Sequence, residues 1–343
     1  MSLWIVDKSA MAPFVAQMKG DYRVVGPLAR GPRFAFGDIE DPAEMQLGYN
    51  TSILPPKKYF QPAQERMMRF KRGTKPEVEV ILETEPTVIM GVHTCDLHGL
   101  KVLDRAFSDG YPDAHYLGRR KQTLLVSIEC LEPCDEHSFC KSMGTLTADE
   151  GYDLHLTDLG DAYAVDIGTE AGRKLLEKYT RARRAANIDI KKLNKVLGAK
   201  WPRFPYKLSF DVGELHPLMV RAYDSPVWDR LAEKCLACGQ CTLVCPTCFC
   251  FNVYDEVALS LEDGERWRRW DSCQLDEFAR VAGGENFREH QASRLRHRFM
   301  RKGRYLMEKY EELGCVGCGR CARSCLVDIS PVDVFNDLNG TGS

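Results

Sequence analysis

The sequence has no apolar run approaching the roughly 20 residues needed to cross a bilayer. It has no excess of either charge: 47 Lys and Arg stand against 49 Asp and Glu, a net charge of −2. That balance creates no long-range field toward nucleic acid or an anionic membrane. No aromatic platform is interleaved with the basic stretches, which further excludes single-stranded nucleic acid. No G-x-x-x-x-G-K-[ST] loop occurs, and no G-x-G-x-x-G follows a strand-like segment. The sequence therefore shows no signature of a nucleotide-binding loop. The opening "MSLWIVDKSAMAPFVAQMKGDYRVVG" interrupts any apolar core with Asp7 and Lys8, so it does not read as a secretory signal. A cytoplasmic protein is expected.

Against these absences stand 15 cysteines. Structural disulfides are rare in ordinary cytosol, and cysteine-rich spacing there points to metal or redox chemistry. The odd total also argues against a fully paired disulfide framework. "CLACGQCTLVCPTCFCF" (235–251) and "CVGCGRCARSCL" (315–326) repeat the spacing C-x2-C-x2-C-x3-C. That is the bacterial ferredoxin ligand run, in which three thiolates wrap one cubane and the fourth reaches the other. The spacing assigns Cys235, Cys238, Cys241 and Cys325 to one 4Fe-4S cluster. Cys315, Cys318, Cys321 and Cys245 go to a second. A four-thiolate zinc ribbon is the competing metal reading, but it would leave further cysteines of each run idle. Leu326 stands where Pro246 follows the first run; that proline shapes backbone and binds no iron.

Residues 1–224 read as an N-terminal α+β domain of mixed α/β type. "PTVIMGV" (86–92), "TLLVSIEC" (123–130) and "AYAVDIG" (162–168) read as strands. "CDLHGLKVLDRAF" (95–107) and "TEAGRKLLEKYT" (169–180) read as helices, the second with Thr169 as N-cap. Segment 181–224 is a partly helical connector. Residues 225–343 read as a ferredoxin-like dicluster domain. The two runs lie roughly 70 residues apart, too far for a simple loop. A helical insertion is expected over 250–312, much of it one long helix over 285–313.

Several stretches carry a resemblance across nearly the whole chain: "YNTSILPPKKYF" (49–60), "GVHTCDLHGLKVLD" (91–104), "KCLACGQCTLVCPTCFCF" (234–251), "RRWDSCQ" (268–274), "VAGGENFR" (281–288) and "CVGCGRC" (315–321). The sequence resembles the β subunit of soluble NAD(P)-linked nickel–iron hydrogenases, the sulfhydrogenases. It is similar, more distantly, to one of the subunits of anaerobic sulfite reductase. The resemblance implies an iron–sulfur protein without bond-making chemistry of its own. Such a protein relays electrons between the hydrogenase small and large subunits and a flavin/NAD(P)-binding subunit, with nickel on another chain. The alternative it implies is the same relay serving sulfite reductase or another multi-subunit reductase. Clusters of low potential are expected for couples such as hydrogen and NAD(P).

Seven cysteines remain. "CLEPCDEHSFC" (130–140) sets three of them among acidic and polar residues, unlike a buried core. If the strands ending near Cys95 and Cys130 are parallel neighbours, both thiols lie at one sheet edge. A third 4Fe-4S cluster on Cys95, Cys130 and Cys140 is expected, with Cys134 as fourth ligand. Asp96, His98 and His137 are the other candidates for that fourth place. Cys248, Cys250 and Cys273 form a second spare set; "TCFC" directly follows the first run, placed to cap or shield a cluster or to lend one sulfur to the third. His93 and His98 read as ordinary polar residues. Arg288, Arg294, Arg296, Arg298, Arg301, Lys302, Arg304 and Lys309 form a basic stripe. Such a stripe is usually a solvated face; here it also suits docking of an acidic partner or offsetting cluster charge.

Overall fold

The computed structural model describes residues 3–340. Among these described residues twelve strands form two sheets: β1 (Trp4–Asp7), β2 (Arg23–Arg30), β3 (Arg33–Asp38), β4 (Gln64–Lys71), β5 (Glu77–Val80), β6 (Thr87–His93), β7 (Thr123–Ile128), β8 (Leu154–Asp158), β9 (Ala162–Ile167), β10 (Arg183–Arg184), β11 (Phe251–Val257) and β12 (Asp263–Trp270). The larger, eight-stranded sheet runs β10-β1-β9-β8-β7-β6-β2-β3. Its centre, β2, β6, β7 and β8, is parallel, and the flanking pairs are antiparallel.

The reason β6 reads as a continuous apolar run is that both its faces are covered. Val88 and Met90 pack on one side with Phe14, Met18, Leu175 and Leu176, from helices Met11–Met18 and Glu170–Tyr179. Ile89 and Val92 pack on the other with Leu97, Leu100, Leu103 and Phe107 of helix Thr94–Ser108. Ile89 and Val92 share a face although three residues apart, because the register shifts between Met90 and Val92 at a bulge. Thr169 caps its helix by accepting the Gly172 N–H at 3.0 Å. Each fully buried side chain of this kind contributes about 1.5–3 kcal/mol.

Helices Leu215–Arg221, Val227–Lys234, Gln291–Met300 and Pro331–Gly340 build a separate core around the cysteine runs. Phe299 sits at its centre, edge-on to Phe335 at 5.7 Å between ring centres. Among the described residues no helix is long and apolar enough to cross a membrane.

The insertion between the runs differs from the expected helix. Residues 251–270 form the hairpin β11–β12, and β12 pairs with β4, so the four-stranded sheet runs β11-β12-β4-β5. This sheet unites segments from either side of residue 224. A buried charge network fixes the pairing. Glu65 on β4 lies opposite Arg268 on β12 and accepts from its Nε at 2.7 Å and from Arg119 Nη1 at 2.6 Å. Arg268 also bonds Asp113. Helix begins only at Gln291, runs to Tyr310, and contains a π-helical turn over Arg301–Tyr305.

Candidate metal centres

Each cysteine run folds as a loop closed by a single helical turn. Gly239 precedes helix Gln240–Leu243 and Gly319 precedes helix Arg320–Arg323, at φ 77° and 73°. The sequence repeat is thus a backbone repeat, and the two short helices lie against each other.

Two cavities open between the loops. One is lined by Cys235, Cys238, Cys241 and Cys325, with Leu236, Leu295 and Ile329 around them. The other is lined by Cys315, Cys318, Cys321 and Cys245, with Phe139, Pro246 and Phe299. Each takes three sulfurs from one run and a fourth from the other. Backbone amides already point at sulfur: Ala237 N–H donates to Cys235 Sγ at 3.4 Å, and Ile329 N–H to Cys325 Sγ at 3.3 Å. Such donors stabilise thiolate charge and tune cluster potential. A zinc ribbon would bring four thiolates onto one ion. Among the described residues no three Cys, His, Asp or Glu side chains are grouped to hold a single metal ion. A cubane asks for something else, one sulfur on each of four irons, and four cysteines around a largely apolar cavity suit it.

The comparisons with known proteins agree. Residues 234–329 match the 4Fe-4S dicluster domain family. The chain carries two 4Fe-4S clusters. The sulfhydrogenase 2 subunit beta of Pyrococcus furiosus is 35% identical over 326 residues, spanning 95% of this chain and 95% of that one. The chain belongs to the sulfhydrogenase β-subunit family. No solved structure matches it.

In this member of the sulfhydrogenase β-subunit family, the N-terminal cysteines abut the second cavity. Strands β6 and β7 are parallel neighbours. Cys95 opens the helix that follows β6, and Cys130 comes two residues after β7, so both lie at the carboxyl edge of the sheet. Burial, then the neighbouring Cys134 and Cys140 sulfurs, push the Cys130 thiol well above its ordinary range. Cys140 is pushed up to about 12 by burial and by Cys134. Cys95, Cys134 and Cys140 each also feel Cys318 of the second run. Two of the other candidates for a fourth ligand, Asp96 and His98, are engaged elsewhere. Asp96 holds Arg320, His98 Nε2 bonds the Thr147 carbonyl at 2.8 Å, and His137 is half-buried beside Glu136. His93 is buried and stacked on Tyr49 at 4.2 Å.

The 130–140 loop and the second run are joined through backbone. Phe139 N–H donates to the Gly317 carbonyl at 2.8 Å, and Thr145 Oγ1 to the Val316 carbonyl at 2.6 Å. Gly317 has φ 65°, and a Cβ there would lie 2.7 Å from Cys140 N and the Phe139 carbonyl carbon. Gly317→Ala is expected to destabilise the protein by about 1–3 kcal/mol, combining crowding with backbone strain. Gly144→Ala is the control: the same backbone region, φ 72°, but nothing within 4 Å. Anaerobic thermal unfolding of both variants checks this; equal losses would show that the close approach contributes nothing.

The spare cysteines lie apart from that quartet. Cys248 hydrogen-bonds Cys245, which pushes Cys248 up and holds Cys245 down. Cys250 pairs with Cys273, whose hydrogen bond pulls Cys250 down to about 6. The residues around the cavities that sequence reasoning missed come largely from "YNTSILPPKKYF". Lys57 Nζ reaches the Cys248 carbonyl at 2.8 Å, and Ser52 receives Arg320. Gly99 also belongs here: a Cβ on it would meet Pro246 Cβ at 2.8 Å, so the helix carrying Cys95 packs directly beside Cys245. The basic stripe is not simply a solvated face either. Arg294, Arg298 and Lys302 are buried. Lys302, carried on the π turn, reaches Cys245 Sγ at 3.3 Å, Cys248 Sγ at 3.2 Å and Thr247 Oγ1 at 2.6 Å.

Proposed function

We propose that this chain relays electrons within a soluble nickel–iron hydrogenase, between the hydrogenase small and large subunits and a flavin/NAD(P)-binding subunit, in the cytoplasm. The observation that carries the reading is the pair of four-cysteine cavities in a chain whose relative over 95% of its length is a sulfhydrogenase β subunit. Cys235, Cys238, Cys241 and Cys325 hold one cluster of a ferredoxin-like module, and Cys245, Cys315, Cys318 and Cys321 hold the other. Cys95, Cys130, Cys134 and Cys140 hold a third, at the sheet edge.

The three then form a line. The Cys245 cluster is the middle member, because the 130–140 loop and the Cys95 helix cover its rim: Val316 is buried at 3% exposure and Pro246 is buried against Gly99. The equivalent rim of the Cys235 cluster is bare, with Leu236 at 59%, Leu326 at 75% and Cys238 exposed. Electrons cross to one partner there. They cross to the other at the N-terminal cluster.

The test is anaerobic purification of the complex from its host through a tag on this chain, with an assay for hydrogen-dependent NAD(P) reduction. A nickel-containing large subunit with that activity is the expected result. A sirohaem protein reducing sulfite in its place would overturn the hydrogenase assignment and leave only the relay.

A further inference from the structure

Five arginines are buried among the described residues: Arg119, Arg268, Arg294, Arg298 and Arg320. Four have a carboxylate partner. Arg119 and Arg268 share Glu65, Arg294 pairs with Asp276, and Arg320 with Asp96. Arg298 has none. It is 4% exposed, and its Nε has no hydrogen-bond partner. Its guanidinium lies against the Phe299 ring face, 4.5 Å away. A neighbouring ring does not offset the desolvation of a full positive charge. The missing anion must come from something other than a side-chain carboxylate.

The position of Arg298 says what it is. Arg298 lines both four-cysteine cavities and lies on the helix that passes between them. Its charge is felt by cysteines of both sets, Cys241 on one side and Cys321 and Cys245 on the other. A cubane with four thiolate ligands is a net anion, and reduction adds one more negative charge. Lys302, four residues on, lines only the second cavity, where it contacts Cys245. Among the described residues the charges it faces are those of cysteines, with no carboxylate ion pair.

We infer that Arg298 is the shared counter-cation of both 4Fe-4S clusters of the dicluster module, and that Lys302 serves the Cys245 cluster alone. A cation beside a cluster stabilises the reduced form over the oxidised one and raises the potential, since net charge is among the levers that set it. Arg298 therefore raises both potentials together and screens the repulsion between two reduced clusters. Lys302 raises one. Both are positioning residues that act on electron affinity without binding iron. The inference rests on the ligand assignment proposed above, which iron content tests separately.

The experiment is an anaerobic redox titration of the full-length chain, followed by electron paramagnetic resonance, with iron measured on every sample. In Arg298→Met, the reduced-to-oxidised ratio of both clusters at fixed potential is expected to fall about tenfold, a shift of about 59 mV for a one-electron couple. In Lys302→Met only one of the two waves moves. Arg298→Lys, which keeps the charge, should hold both near the parent values. If Arg298→Met retains its iron and either wave stays put, the shared role is wrong. If Arg298→Met loses iron, Arg298→Lys decides: full iron in the lysine variant supports the inference, and loss in both overturns it. A parent chain that binds fewer than about eight irons would instead count against the ligand assignment.

Discussion

Cys95→Ser is expected to remove about a third of the iron, roughly four atoms of about twelve per chain, while the two clusters of the dicluster module stay. Cys95 is 5% exposed and opens the helix at the carboxyl end of β6. Its neighbours across the sheet edge are Cys130 and, through the loop that follows, Cys134 and Cys140. Serine at that position offers a harder and far less acidic ligand, and a cubane with one corner weakly held is readily lost. The matched control is Cys273→Ser. That thiol is equally buried but pairs with Cys250 rather than with the quartet, so iron should be unchanged. Iron analysis with protein quantitation gives the answer directly. Full iron in Cys95→Ser would sink the third cluster.

The second large effect concerns the link between that cluster's helix and the second ferredoxin-type run. Asp96 follows Cys95, and Arg320 precedes Cys321. The pair is bidentate, Nη1 to Oδ1 at 2.6 Å and Nη2 to Oδ2 at 2.8 Å, with side chains 2% and 1% exposed. Arg320 also donates to Ser52, from Nε to the carbonyl and from Nη2 to the hydroxyl, both at 3.1 Å. Asp96→Ala should destabilise the protein by about 3–5 kcal/mol, because it strands a guanidinium in a site closed to water. Asp96→Leu combined with Arg320→Met should cost clearly less, since no charge is then left buried without a partner. Anaerobic denaturant unfolding of the parent and both variants distinguishes these outcomes. A loss under about 1 kcal/mol in Asp96→Ala would show that water reaches Arg320 after all.

What can be read from the sequence is whatever has a local signature. "PTVIMGV" and "TLLVSIEC" announce buried strands because both faces are covered, so nearly every position is apolar. Thr169 announces a cap because its hydroxyl serves a backbone N–H three residues on. The hairpin 251–270 gives no such signal. Its first strand is half-exposed or exposed throughout, its second buries only Gly264 and Arg268, and charges stand on both strands; Arg268 finds Glu65 some two hundred positions earlier in the chain. Local periodicity cannot see that pairing, so the segment passes as part of the helical insertion expected over 250–312. The basic stripe misleads for a related reason. Arg294 and Arg298 look alike in sequence and sit on adjacent turns. One finds Asp276, while the other finds only the walls of two cysteine cavities. Burial is decided by the neighbour, and the neighbour comes from elsewhere in the chain. "YNTSILPPKKYF" shows the same limit. Its place in the family is legible, but the work of Ser52 and Lys57 against the cysteine loops appears only in three dimensions.

The crossed lining of the two cavities has a consequence for biosynthesis. One cavity needs Cys325 and the other needs Cys321, so neither exists while the ribosome is still translating the hairpin or the long helix. The large sheet needs nothing beyond β10, and its strands can pair much earlier. From Cys245 to Cys315 some seventy residues are added, and through them the thiols of the first run are without their partners, although every strand of the large sheet has already been made. Iron delivered before the chain is complete would find only half-sites. Each finished cluster then ties residues far apart in sequence and closes a long loop at a logarithmic cost in chain entropy. Each of these two sites is therefore complete only once the carboxyl-terminal run has folded against the first.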